Sequence, residues 1–230
     1  MTDLSNLRIL RPAPGVLAFY DGRVPGQRFA TCDNWVDRGA LSVGIASYAL
    51  VSGDAALIYD THVTVAHAAH IRALLEADGM RHFTVILSHH HMDHVAGTGA
   101  FADCEVIANA RTAAHLLRDR AAIEAGTLSG PPAVAPFVLP TRTFEGEMEF
   151  VLGDMPLRLI EADIHSDDAT VIWRREDALL LAGDTLEDTV TYVAEPKGFA
   201  NHLRDLARLA ALGPSTILPN HGCPDRIAAG

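Results

Sequence analysis

The sequence predicts an α/β fold with sheets packed between helices, and three observations carry that expectation. Short apolar runs bounded by turn signals recur along the chain. Stretches with apolar residues near a 3.6-residue period alternate with them in both halves. With 230 residues, 49% of them apolar, the chain is long enough to bury a substantial core. The expected organisation is a single domain over residues 1–230, built from two half-domains at roughly 1–130 and 131–230.

The elements follow in order. GVLAFY (15–20) reads as a strand, and IASYALVSGDAALIYDT (45–61) as two apolar strands joined by the turn signal SGD. Residues 65–80 are expected to be helical: Ala66, Ile71, Leu74 and Leu75 recur near the helical period and Gly79 marks the end. FTVILSHH is a short apolar strand, followed by a helix over 93–101, the strand CEVIANA and the helix ARTAAHLLRDRAAIEAG. TLSGPPAVAPFVLPT, rich in Pro and Gly, reads as a long surface loop. The second half is strand-rich (MEFVL, PLRLIEAD, TVIWRRE, ALLLAGD), then GFANHLRDLARLAAL forms a helix before the last strand, STILPN. No short repeat or low-complexity tract is present.

The formal net charge of −11 and the lack of a Lys/Arg cluster argue against a nucleic-acid partner. Three widely spaced cysteines, Cys32, Cys104 and Cys223, imply neither a disulfide framework nor a Cys-x-x-Cys zinc site. No apolar stretch reaches membrane-spanning length, so no membrane association is expected. The first residues lack a signal-peptide pattern, which makes the cytoplasm the expected compartment.

The chemistry concentrates in ILSHHHMDHVAG (86–97), with four histidines and an aspartate in the spacing His-x-His-x-Asp-His. Crowded imidazoles repel when protonated, so the pattern points to an external cation or a shared proton. Where an extended chain leaves a strand, residues two apart point the same way. His89 and His91 therefore reach one point, while His90 and Met92 turn away as packing or supporting residues. Asp93 and His94, at the start of the next helix, face a neighbouring point, a geometry better suited to two ions than to one. Three more residues stand at strand ends: His165 in EADIHSDDATVIW, Asp184 in LLLAGDTLED and His221 in ILPNHGCP.

This set resembles the metallo-β-lactamase superfamily, from about Asp60 to His221. The resemblance implies a four-layer αβ/βα sandwich with the metal site at one edge. It further implies that His89, His91 and His165 hold one metal ion, that Asp93, His94 and His221 hold a second, and that Asp184 bridges both. Asp60 in LIYDT corresponds to the family's supporting aspartate. Two Zn2+ are the expected cofactors, with iron or manganese compatible with the N/O donor set. A metal-bridging hydroxide would then attack a small ester, lactone, thioester or amide, with Asp93 also orienting the nucleophile.

Several features narrow the branch. True β-lactamases typically carry Cys or Ser where this chain has Asp184, which resembles the glyoxalase II and lactonase branches instead. Glyoxalase II's glutathione-binding helical domain has no room after His221, and the nuclease branch's inserted domain is absent. Family members often continue past the last histidine with a helix, which leaves residues beyond Gly230 open. Quorum-signal lactonases have tyrosine where this chain has Glu187; Tyr192, close by in sequence, either enters the site or is a core or surface tyrosine. The loop GRVPGQRFATCDNWVDRGALSVG, with Phe29 and Trp35, either walls the site or packs on the core as a hairpin, and TLSGPPAVAPFV is a second candidate wall.

The remaining histidines are given lesser roles. His62 is read as a surface or turn residue, with a supporting role as the alternative, His67, His70, His115 and His202 as solvated helix residues, and His82 as a loop residue. A mononuclear iron persulfide dioxygenase, a β-lactamase-like activity and a non-catalytic module are the competing readings. The partner is a small-molecule substrate, and a homo-oligomer is left open.

Overall fold

The computed structural model describes residues 3–188, 191–193 and 196–229. Its first sheet runs β1 (Arg8–Ala13), β2 (Val16–Asp21), β3 (Ile45–Ser52), β4 (Ala55–Tyr59), β5 (His82–Ile86), β6 (Glu105–Asn109) and β7 (Arg142–Phe144), in that spatial order. Pairing is antiparallel from β1 to β4 and parallel from β4 to β7. The second sheet holds β8 (Glu147–Leu152), β9 (Met155–Ile164), β10 (Ser166–Arg174), β11 (Leu179–Gly183) and β12 (Thr216–Pro219), with β12 parallel to β11 and the rest antiparallel. The chain thus changes sheet between β7 and β8.

Alternation along the strands builds three apolar layers. Ala18, Tyr20, Tyr48, Leu50 and Leu57 from the first sheet meet Leu157, Leu159, Ile172 and Leu181 from the second in the central layer. On the other face of the first sheet, Leu17, Phe19, Ile58 and Val106 pack against helices α1 (Val65–Ala77) and α3 (Ala110–Ala125), through Ile71, Leu75, Leu116 and Ile123. Outside the second sheet, Ile160, Val171 and Leu180 pack under Leu209 of α4 (Phe199–Ala210). Helix, sheet, sheet and helix make the four-layer αβ/βα sandwich.

Local chemistry explains where the elements stop. Thr64 caps α1 by accepting from the His67 N–H, and Gly126, with φ 68°, ends α3 in the left-handed region that glycine adopts without strain. Three buried tyrosines then tie the sheets together. Tyr48 and Tyr59 donate to the carbonyls of Pro219 and Thr170, and Tyr20 to Gly222 at 2.8 Å. Each links the first sheet to the second sheet or the segment following it, so the sheet interface holds the strand ends in register.

Some expectations are corrected. β1 and β7 are strands that the sequence reading did not anticipate. The helix expected over 93–101 breaks into α2 (Met92–Val95) and a single tight turn, Thr98–Phe101. Gly97 stands at the break, against the Thr61 carbonyl and Ala68, where a side chain would collide. His67 and His202, expected in solvent, are 1% and 8% exposed. His82, expected in a loop, is the exposed first residue of β5.

Candidate metal centre

The strand ends of both sheets converge on one edge of the sandwich. β5 delivers His89 and His91, and α2 carries Asp93 and His94. His165 lies in the turn between β9 and β10, Asp184 follows β11, and His221 follows β12. The side chains form two groups, His89–His91–His165–Asp184 and Asp93–His94–His221, each with ligand-type atoms within 4.8 Å of one another.

Asp184 joins them. Its Oδ2 lies 3.5 Å from His165 Nε2 and 3.7 Å from His89 Nε2 in the first group, and 3.2 Å from His94 Nε2 and 3.3 Å from His221 Nε2 in the second. His91 Nδ1 is 3.0 Å from His165 Nε2, and Asp93 Oδ2 is 3.2 Å from His221 Nε2.

Hydrogen bonds behind the rings decide which nitrogen faces inward. Ser88 Oγ–H donates to Asp60 Oδ2 at 2.6 Å, so it accepts from His89 Nδ1–H at 2.9 Å. His94 Nδ1–H donates to Asp60 Oδ2 at 2.9 Å, His221 Nδ1–H to the Gly44 carbonyl at 2.8 Å, and His165 Nδ1–H to the Tyr192 carbonyl at 3.2 Å. All four rings therefore turn Nε2 to the centre. Asp60 itself is fully buried and also accepts from the Ser88 N–H and Asn220 Nδ2.

The electrostatics differ between the two groups. Burial pushes the Asp184 carboxyl up, but His94 and His221 outweigh it and hold it well below the usual range. Burial likewise raises Asp93, again outweighed by His94 and His221. Burial pulls His94 down, yet Asp184, Asp93 and Asp60 lift it well above an ordinary histidine, and His221 behaves alike. His89 is driven far down by burial and by His94 and His91, and His91 falls to about 4 through burial and His165. A metal-free centre therefore shares protons in its second group while the first keeps neutral imidazoles.

The residues fit bound metal. His89 Nε2 and Asp184 Oδ1 are buried and have no hydrogen-bond partner among the described residues, an arrangement that costs free energy unless a cation takes the lone pairs. All donors are nitrogen or oxygen, suited to zinc, manganese or iron. Asp60, His62 and His165 adopt positive φ of 65°, 65° and 69°, strain of the kind that persists where surrounding structure enforces a site.

Two clefts open beside the centre. One, of about 450 Å³, is lined by Trp35, Ala40, His91, Met92, Asp93 and Leu128; Trp35 also packs in the first core layer. The other, of about 390 Å³, includes His91, His165, Val193 and His202. Tyr192 is 63% exposed, with its ring 6.1 Å from that of His165, so its side chain sits at the rim while its carbonyl orients the histidine. Glu187 reaches within 3.9 Å of His165 Nδ1, and burial together with Asp184 pushes its carboxyl up to about 7.

Sequence reasoning missed Ser88 and Asn220, whose only signal was a polar residue immediately before a strand-end histidine. His62, read first as a surface or turn residue, has the left-handed backbone of a turn but is completely buried, which overturns the surface reading; its ring stacks 4.6 Å from His67. His90 turns away from the centre, as its position predicted, toward the buried Asp168 of β10.

A sequence profile described as "Metallo-beta-lactamase superfamily" matches residues 42–221. No curated protein matches the chain. Among solved structures, a metallo-β-lactamase from Pontibacter korlensis superposes with a TM-score of 0.71 at 15% identity, covering 94% of this chain and 92% of that one. The metallo-β-lactamase IND-7 gives 0.70 at 15% identity over 96% and 93% of the two chains. DIM-1 metallo-β-lactamase exposed to ceftazidime gives 0.67 at 17%, over 97% and 91%. At these identities the likeness is one of fold.

Proposed function

Because the chain belongs to the metallo-β-lactamase superfamily, whose profile spans most of it, we propose that its centre holds two divalent ions and hydrolyses a small ester, lactone, thioester or amide. Zinc is the first candidate for a site of imidazoles and carboxylates, with iron or manganese compatible. The observation that carries the reading is the position of Asp184 Oδ2, between imidazole nitrogens of both groups at 3.2–3.7 Å. A carboxylate there would be shared by two ions.

In this reading His89, His91 and His165 hold one ion, Asp93, His94 and His221 the other, and Asp184 both. When bound, the ions supply Lewis-acid polarisation of the scissile carbonyl and lower the pKa of a water molecule. The protein's own work is orientation. Asp60 and Ser88 fix the rings of His89 and His94, one from each group, so the two halves keep a constant separation. Asp93, at the N-terminus of α2 and facing the cleft, accepts a hydrogen bond from the attacking water and aims it. Trp35 and Met92 offer an apolar wall to the substrate, and the cleft beside His165 and His202 takes its other arm.

The test is elemental analysis of protein purified without added metal, paired with hydrolysis of a panel of esters, lactones, thioesters and amides. Near two zinc per chain with turnover of any member supports the reading. One iron per chain and no hydrolysis refutes it and favours dioxygenase chemistry.

A further inference from the structure

A second cluster of ligand-type side chains lies outside this centre. One nitrogen each from His90 and His115 and one carboxylate oxygen of Asp168 fall within 4.8 Å of one another, as close as the atoms within each half of the main centre. We propose that these three residues form a separate site for a divalent cation of the zinc class, which staples the two halves of the fold. The site stands on its own residues and does not depend on the hydrolase reading.

The geometry is that of ligands around an ion. His90 Nδ1 is 3.0 Å from both oxygens of Asp168. A single N–H aims best at one lone pair. Two donors bound to one tetrahedral ion at about 2.0–2.2 Å stand about 3.3–3.6 Å apart, so a shift of a few tenths of an ångström turns this contact into a pair of ligands. The His115 ring lies 4.4 Å from that of His90, tilted by 36°, and Asp167 Oδ1 is 2.9 Å from His115 Nε2, a further oxygen donor at the rim.

Charge points the same way. Asp168 is fully buried, and among the described residues no lysine or arginine forms an ion pair with it. A buried carboxylate needs a cation or a full set of donors. The cleft of about 390 Å³ that His90, His115 and Asp167 line gives an ion access.

One contact must change. Arg118 Nη1 stands 2.9 Å from His115 Nδ1, and a neutral imidazole ligated through Nε2 carries its proton on Nδ1. Arg118 Nη1 therefore turns away on binding. The guanidinium is rigid, so it moves as a unit and gives up its paired contacts with Asp119 as well; its side chain is 60% exposed, and water takes their place.

The placement gives the ion a structural task. His90 precedes α2 and His115 lies on α3, both of the first half, whereas Asp167 and Asp168 belong to β10 of the second sheet. An ion bound here crosslinks α3 and the histidine-rich loop to the second sheet, and so stabilises the folded chain by mass action.

Chelator-stripped protein is dialysed against zinc at graded concentrations, and bound metal is counted by elemental analysis in the wild type, His115→Ala and His91→Ala. The expected result is one ion fewer per chain in His115→Ala than in the wild type, with a smaller zinc-dependent rise in Tm. Equal counts in these two proteins would overturn the site and leave His90 and Asp168 as a plain hydrogen-bonded pair. If His115→Ala does not unfold cooperatively, His115→Gln, which keeps the side chain's bulk, takes its place. Loss of ions in His91→Ala alone refutes this site and spares the main centre; loss in His115→Ala alone does the reverse.

Discussion

Asp60→Asn tests whether one buried carboxylate sets the geometry of both halves of the centre. Four donors converge on Asp60: the Ser88 N–H on Oδ1 at 2.7 Å, and on Oδ2 the Ser88 hydroxyl at 2.6 Å, His94 Nδ1 at 2.9 Å and Asn220 Nδ2 at 2.5 Å. Asparagine keeps the shape and tolerates the positive φ of 65° at this position. It offers only one oxygen, however, which must turn toward the three donors on the Oδ2 side. The amide nitrogen then faces the Ser88 N–H and orphans a buried backbone donor, at a cost of about 1–3 kcal/mol. The neutral oxygen is also a weaker acceptor for His94 Nδ1–H, so His94 Nε2 becomes a poorer ligand. A partner of this kind behind a ligating histidine is typically worth about 10–100-fold in metal affinity. Urea denaturation of metal-free protein should show the stability loss, and zinc affinity by chelator competition should show the second effect. Zinc affinity within about twofold of wild type, despite lowered stability, would refute the idea that Asp60 acts through His94. Asp60→Ala would leave all four donors orphaned, a loss comparable with the whole stability margin of about 5–15 kcal/mol, and would report only on folding.

Three further outcomes follow from the geometry. His91→Ala should lose ions from the first group and with them hydrolysis, as read by elemental analysis and turnover. Metal binding near pH 7 should release protons: the carboxylates hold His94 and His221 well above the ordinary histidine range, so both rings must deprotonate to bind, and calorimetry in buffers of different ionisation enthalpy should register about two protons per chain. In metal-free protein the Asp168 carboxyl is pushed up by burial but held lower, at about 2, by His90, below its ordinary 3.8. Its contribution of about 2 kcal/mol is therefore present above about pH 4 and lost as pH falls toward 2, and Asp168→Asn should flatten that acid limb in chemical denaturation.

The legible part of this site was its ligand types, and the reason is local. His89, His91, Asp93 and His94 lie in one short stretch, where backbone geometry alone brings His89 and His91 to one side and sends His90 to the other. His165, Asp184 and His221 stood out because a polar residue ends each apolar run, and strand ends are where a sheet gathers ligands. Less legible were the residues that act through others. Ser88 and Asn220 carry no signature of their own; their value comes from touching Asp60, which is 28 residues from one and 160 from the other. The buried positions of His67 and His202 were equally hidden. Both were read as solvated helix residues, but His67 packs at 3.2 Å against Asp21 of β2 and His202 lines a cleft, 8% exposed.

Strand and helix order, the layered α/β character and the identity of the ligand-type side chains were determined by the sequence itself, because periodicity and strand-end chemistry are properties of short segments. Only the tertiary structure decided that Asp184 Oδ2 stands between two groups of histidines, that four Nδ1–H donors turn four Nε2 atoms inward, and that His90, His115 and Asp168 meet. Those contacts join residues brought together from both sheets, and their distances are set by how the sheets pack face to face. The interface tyrosines Tyr20, Tyr48 and Tyr59 fix that packing, and no local pattern encodes a separation that two sheets must agree on.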